Sequence, residues 1–174
     1  MPDELEFVLL VEPYPDDGAV VELKIPNPDH AKALAAYREV LERNPFAENH
    51  VIEAFAPGLA HPAESLIGAD EYCVECARLT LVVGYPFPGQ YAVTVTASTP
   101  RGFTRAELFR QLVRVHSAMY EGAAFGPART RLNTHVESPR FGTAWHRLDD
   151  LVVEGVLVQT RDDGRLFAWI ALGS

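Results

Sequence analysis

The chain contains six runs of β-forming residues, and these follow one another as three consecutive pairs. Each pair is joined by a stretch rich in Pro, Gly or Asp, which readily turns. The runs cover residues 7–11 and 19–25, 74–83 and 91–97, and 151–158 and 166–172. Apolar and polar residues alternate from Val21 to Ile25, as expected for a strand with one buried face. This order predicts antiparallel hairpins rather than a series of parallel βαβ units.

Two helices are predicted between these pairs. The first begins at Asn27, which can cap it, with Pro28 at the first helical position, and it ends at residues 44–45, Asn-Pro. The second begins with a capping box, in which Thr104 is the N-cap and Glu107 its partner. The apolar stripe of the second helix consists of Leu108, Leu112, Val115 and Met119.

These elements predict an α+β fold in which a mostly antiparallel sheet of about six strands carries two main helices packed on it. The length of 174 residues suits a single domain covering residues 1–174, because a core of that size buries roughly two thirds of the unfolded surface. Residues 46–72 and 123–147 keep no persistent period, apart from a short helix predicted at residues 63–67. A connection as long as the second of these is unusual in a compact domain unless it is functional.

The composition is that of an ordinary folded protein, with 48% hydrophobic and 22% charged residues. The first residues are acidic where a secretory signal would carry Lys or Arg, and no apolar run reaches the ~18 residues of a membrane span. The two cysteines are too few for a disulfide-rich secreted scaffold. We therefore expect a cytoplasmic protein that does not associate with membranes.

The charge is distributed unevenly along the chain. The formal net charge is −9, yet residues 101–147 contain eight arginines against three glutamates. A basic contact face on an acidic body is one interpretation, and neutralisation of neighbouring acidic strands is the other. The arginines that we predict to bind phosphate or carboxylate groups, through their planar guanidinium forks, are Arg129, Arg131, Arg140 and Arg147.

Cys73 and Cys76 have the Cys-x-x-Cys spacing shared by zinc sites and redox motifs. If both lie on a strand, however, their odd separation sends them to opposite faces. No second cysteine pair exists to complete a four-ligand site. Histidines such as His50 or His61 could supply the missing zinc ligands, but the prediction we favour is two half-buried cysteines and no metal site.

Three histidines could belong to a hydrolytic or metal site, namely His116 on the second helix, His135 in the Arg-rich loop and His146 before the final strands. Asp150 lies close to His146 in sequence and could orient an imidazole for general-base work. The chain contains no His-Glu-x-x-His, no nucleophile elbow and no Gly-rich phosphate loop to join these residues into one device.

The C-terminal half contains Phe-Thr-Arg-Ala-Glu-Leu at residues 103–108 and Gly-Thr-Ala-Trp-His-Arg-Leu-Asp-Asp-Leu at residues 142–151. This combination of a capped helix with a Gly/Trp/His stretch before an Asp-Leu strand resembles a family of uncharacterised proteins found notably in large DNA viruses. The resemblance covers roughly the last seventy residues and implies no activity. It implies that His146 and Asp150 hold the junction between the loop and the final hairpin.

The leading hypothesis is a non-enzymatic protein-binding or inhibitory module that uses either the basic face of residues 101–147 or the acidic body. The alternative is a small hydrolase or metal-binding enzyme that uses His116, His135 and His146. Nucleic-acid binding through the arginines ranks last, because the chain as a whole repels phosphates. No cofactor is expected, and the sequence predicts no oligomeric state.

Overall fold

The computed structural model describes residues 4–26, 42–43, 56–121, 124–125, 143–144 and 151–173. Within these ranges the chain forms ten strands, one long α-helix and one 3₁₀ turn, at Ala63–Ser65. The helix, α1, spans Arg105–Glu121, and Glu42 and Arg43 are also helical. The strands are β1 (Phe7–Leu9), β2 (Ala19–Val21), β3 (Tyr72–Val74), β4 (Arg78–Val83), β5 (Tyr91–Thr96), β6 (Phe103–Thr104), β7 (Ala124–Phe125), β8 (Thr143–Ala144), β9 (Val152–Thr160) and β10 (Leu166–Gly173).

Six of the strands form one sheet in the order β1-β5-β4-β10-β9-β2. All neighbours in it are antiparallel except β4 and β10, which are parallel. The predicted pairing of the second and third sets of runs is confirmed, as β4 with β5 and β9 with β10. Both pairs are joined by local turns. The Pro, Gly and Asp residues between the runs were therefore sufficient to predict these two hairpins.

The hairpin predicted from the first pair of runs is wrong. β1 pairs with β5 at one edge of the sheet, and β2 pairs with β9 at the opposite edge. Residues 10–18 connect the two strands across the sheet. A local hairpin of β1 and β2 could have covered the outer side of β5 or of β9 but not both, whereas the observed arrangement gives each of them a partner.

The predicted packing of two helices on an α+β sheet is also wrong for the described residues, whose regular structure is mainly strand with one long helix. The first predicted helix, residues 27–44, lies outside the described residues except for Glu42 and Arg43. The predicted short helix at residues 63–67 is a 3₁₀ turn. Irregular chain around this turn contributes to the core, where Leu59 and Leu66 are buried. The sequence of this region shows no persistent period, so neither its burial nor its irregular backbone was predicted.

The N-terminus of α1 is held by both side-chain and backbone groups. The N–H of Glu107 donates to Thr104 Oγ1 at 3.2 Å, which confirms the predicted N-cap. The Glu107 carboxylate accepts a hydrogen bond from the N–H of Ser98 instead of completing the capping box. The N–H groups of the first two helical residues donate to the carbonyls of Glu71 and Ala69 at 3.0 and 2.9 Å. The start of the helix is therefore fixed by the chain around it.

Gly102 permits the close approach of two backbones just before α1. Its φ is +130°, and a Cβ there would lie 2.0 Å from the carbonyl oxygen of Val74. Only glycine adopts this conformation without strain. As a result, β6 can pair with β3 and deliver the chain into the helix.

The main core lies between α1 and one face of the sheet. The predicted apolar stripe of the helix is confirmed, since its four residues are each 0% exposed. Opposite them, the inward residues of β4 and β5, including Leu79, Leu81 and Val93, are also buried. Burial of each such side chain contributes roughly 1.5–3 kcal/mol. This packing leaves the other face of the sheet without a helix among the described residues.

Candidate functional site

The face of the sheet opposite α1 contains a shallow groove of about 500 Å³. Its floor consists of short side chains from β4 and β5, where Thr80 Oγ1 and Thr94 Oγ1 lie 3.2 Å apart across the strands. Carboxylates from the β1 segment line one side of the groove, and the guanidinium groups of Arg78 and Arg165 line the other. We call this surface the open face.

Residues 10–18, which we call the strap, cross the sheet beside this groove. The ring of Tyr14 meets the ring of Trp169 edge-on, with their centroids 5.7 Å apart. Trp169 is only 2% exposed, and partial burial raises the pKa of Tyr14. The Glu12 carboxylate pairs with Arg161, and Gln90 Nε2 donates to the Glu12 carbonyl at 2.9 Å. These contacts anchor the strap and, with it, the end of β1.

β1 is one of the two edge strands of the sheet, and its backbone groups alternate between pointing towards β5 and pointing away from it. The register pairs Val8 with Ala92, and the N–H of Leu10 donates to the Gln90 carbonyl at 2.9 Å. Hydrogen-bonded and non-hydrogen-bonded pairs alternate in an antiparallel ladder. The N–H and C=O of Leu9 therefore point away from β5 and form the outer edge of the sheet.

The side chains along this edge are apolar and exposed. Val8, Leu9 and Val11 are 63%, 61% and 89% exposed. Glu4 and Glu6 precede them and are exposed, and neither has an ion-pair partner among the described residues. We call residues 4–11 the β1 edge. An open strand edge of this kind is a template on which a further strand can pair.

The chain at the opposite edge is covered where it leaves β2. The N–H of Ile67 donates to the Lys24 carbonyl at 2.9 Å, and Arg105 Nε donates to the Glu22 carbonyl at 3.3 Å. The chain also enters the core there, since Leu23 is 4% exposed. Among the described residues, the chain just after β2 is therefore covered, whereas Val11, just after β1, is 89% exposed.

His116 lies inside the core rather than at a surface site. It is fully buried, and its Nδ1 donates to the Leu112 carbonyl at 2.6 Å. Its Nε2 has no hydrogen-bond partner among the described residues. Burial lowers the pKa of His116 to about 4, so the imidazole is neutral at neutral pH and has no contact with solvent.

The other predicted site residues lie outside the described residues. They are His135, His146, Asp150, Arg129, Arg131, Arg140 and Arg147. Their roles stay predictions. The β1 edge was missed by sequence reasoning, although a signal was present in the apolar run of residues 7–11 beside acidic Glu4 and Glu6. That run predicted a strand, but not that the strand would lie at an open edge.

The two cysteines are free and partly buried. Cys73 Sγ donates to the Phe103 carbonyl at 3.6 Å, and burial raises the pKa of its thiol to about 11. Burial raises the pKa of Cys76 as well. A neutral thiol is a poor nucleophile and a poor metal ligand. In the described ranges, no three His, Cys, Asp or Glu side chains are grouped so that they could hold a metal ion.

The last two observations concern membrane-spanning helices and the comparison with known proteins. Among the residues that the structure describes, no helix is both long enough and apolar enough to cross a membrane. No protein-family model, curated protein or solved structure matches the chain.

Proposed function

We propose that this chain is a non-enzymatic protein-binding module, which binds an extended segment of a partner protein by adding it as a strand to β1. The observation that carries the proposal is the β1 edge, where the outward backbone groups of Leu9 lie among exposed Val8, Leu9 and Val11. Strand addition uses main-chain hydrogen bonds for affinity and alternate side chains for specificity.

Burial of these side chains supplies the driving force. A partner strand laid along β1 would remove apolar area from water at about 25 cal/mol per Å². It would also give the N–H and C=O of Leu9 protein partners in place of water. The strap and Gln90 already hold β1 in the extended conformation, so little ordering of this chain would oppose binding.

The arginines of residues 101–147 support the proposal less well where they are described. Arg105 pairs with Glu71 at 2.6 Å, and Arg110 pairs with Glu64 at 2.9 Å. The guanidinium group of Arg101 lies 4.1 Å from the centre of a tyrosine ring. These three arginines are engaged by the chain itself, which favours the β1 edge over the described part of the basic segment as the contact surface.

The enzymatic alternative is weakened by the position of His116. A general base must reach the proton that it removes, and this imidazole is fully buried against its own helix. The free thiols of Cys73 and Cys76 favour a reducing compartment, so we propose that binding takes place in the cytoplasm.

The test uses a photo-crosslinking residue placed at position 8, with position 20 as the matched control on the opposite edge. Both valines are exposed, at 63% and 69%. In an extract of the source cells, position 8 should yield a discrete protein adduct, and the crosslinked residue should map to an extended segment of that protein. Leu9→Pro should abolish the adduct, because proline removes the outward N–H while leaving the ladder to β5.

An equal adduct from position 20, or an adduct from position 8 that persists in Leu9→Pro, would contradict strand addition at β1. Circular dichroism and the urea midpoint of Leu9→Pro are measured alongside, so that unfolding is not mistaken for loss of binding.

A further inference from the structure

We infer that the segment accepted by β1 carries basic residues at every second position and apolar residues between them. This inference rests on the proposed function and specifies the chemistry of the partner. It follows from the alternation of side chains along a strand, because an added strand places successive residues beside the two different rows of the β1 edge.

The register assigns these rows to the two faces of the sheet. Phe7 pairs with buried Val93 and packs against the main core, whereas Val8 pairs with Ala92 on the open face. Glu4 and Glu6 share the parity of Val8 and line the groove of the open face with it. The row on the open face is therefore acidic at its start, whereas the row on the core side is apolar. We call these the acidic row and the apolar row.

The acidic row lacks counter-charge among the described residues. Glu12, at the far end of the row, is paired with Arg161, but Glu4 and Glu6 have no such partner. Arg78 and Arg165 line the far side of the same groove but form no ion pair with Glu4 or Glu6, and Arg165 pairs with Asp163 instead. The backbone of Arg78 lies two strands away, which is roughly 10 Å at the usual spacing. Side chains opposite one another on adjacent strands are about 5 Å apart, so cations on an added strand would be the nearest counter-charges.

The apolar row favours apolar side chains on the added strand. Leu9 is 61% exposed and Val11 is 89% exposed, and both have the parity of Phe7. Branched or aromatic side chains at alternate positions of the added strand would cover them. A partner of uniform polarity would satisfy only one row.

A second copy of this chain fits the edge poorly. Antiparallel pairing of two β1 edges around Leu9 would place Glu6 opposite Glu12 of the other copy. Like charges in directly opposed positions destabilise a strand pair, and both copies carry a formal charge of −9. The edge therefore selects a heterologous, basic strand.

The experiment compares four synthetic peptides by nuclear magnetic resonance titration of the full chain, with the Leu9 amide as the reporter. The alternating probe is Lys-Val-Lys-Val-Lys-Val-Lys. Two controls keep its period but replace Lys by Thr or by Glu, and the third, Val-Val-Val-Lys-Lys-Lys-Lys, keeps its composition but removes the period. We expect the alternating basic peptide to bind roughly tenfold more tightly than each control.

The double variant Glu4→Lys/Glu6→Lys should reverse the preference, so that the Glu peptide binds more tightly than the Lys peptide. Leu9→Pro keeps every charge of the chain and separates strand addition from general attraction to an acidic protein. Binding of the basic peptide, followed in this variant through the amides of Val8 and Leu10 because proline has no N–H, should be lost in Leu9→Pro.

Equal binding of the Lys, Thr and Glu peptides at Leu9 would overturn the charge rule and leave strand addition standing. Equal binding of the blocked and alternating basic peptides would overturn the two-row argument. If no peptide perturbs the Leu9 amide, the inference fails, and the crosslinking of the natural partner in Leu9→Pro then decides the proposed function by itself.

Discussion

β1 and β2 form the two edges of the same sheet, and they look alike in isolation. Each is three residues long and has one prominently exposed valine, Val8 at 63% and Val20 at 69%. The chain after β2 enters the core and is held by Arg105 and by the N–H of Ile67, whereas Val11, two residues after β1, is 89% exposed. The surroundings of an edge strand, rather than its own residues, therefore decide how far the chain beside it is covered.

The largest difference in stability between the two edges should come from truncating one leucine near each of them. Leu23→Ala should lower the free energy of unfolding by about 2–5 kcal/mol, because Leu23 is 4% exposed in the core. Leu9→Ala removes the same atoms from a side chain that is 61% exposed and should change it by less than about 0.5 kcal/mol. Urea denaturation of both variants measures the difference, and equal losses would show that β1 is as deeply packed as β2.

Acidification should weaken the core while the β1 edge keeps its geometry. His116 has a pKa of about 4 in the folded chain against a usual value of 6.5, so its neutral form stabilises the fold fully above pH 6.5. As the pH falls towards 4, the unfolded chain takes up the proton and stability is lost. We expect a decrease of about 2 kcal/mol between pH 7 and pH 5.

Urea midpoints across this pH range, for the wild type and for His116→Leu, check the effect. The slope should be much shallower in the variant. An unchanged slope would assign the pH dependence to other groups, and peptide binding at the β1 edge is best compared at pH 7 or above in either case.

The turn into β2 should be sensitive to an added methyl group. Gly18 has a φ of +154°, and a Cβ there would lie 2.7 Å from the Val158 carbonyl oxygen. Gly18→Ala should therefore cost roughly 1–3 kcal/mol. Gly155→Ala in β9 is the matched control, since a Cβ there meets nothing within 4 Å, and it should be nearly neutral. Similar thermal midpoints for the two variants would contradict this reading of the β2 edge.

A small effect on stability is expected from proline at the outer side of β1. Leu9→Pro should cost less than about 1 kcal/mol, because the N–H that it removes points away from β5. Val8→Pro, one residue earlier, removes an N–H that pairs with β5 and should cost more. Urea midpoints of the two variants test the assigned direction of the backbone, and the reverse order would exchange the inward and outward residues.

Local sequence signals predicted the parts of the fold that are closed by local turns. Asp163 and Gly164 mark the turn between β9 and β10, and Thr104 marks the start of α1. The pairing of β1 with β5 and of β2 with β9 joins residues more than seventy positions apart, and no periodicity encodes such a choice. The candidate site depends on that choice, which is why it was missed although its residues had been identified as a strand.

The sequence by itself determined which side chains are apolar on one side of each strand, where α1 begins and which stripe it buries, because these depend on residues a few positions apart. Tertiary structure alone decided which of two similar short strands would be followed by chain that other described segments cover, and which would not. The reason is physical: an edge is open only when no distant segment supplies hydrogen bonds to it. The chain near Lys24 receives them from Ile67 and Arg105, whereas Leu9 faces outward.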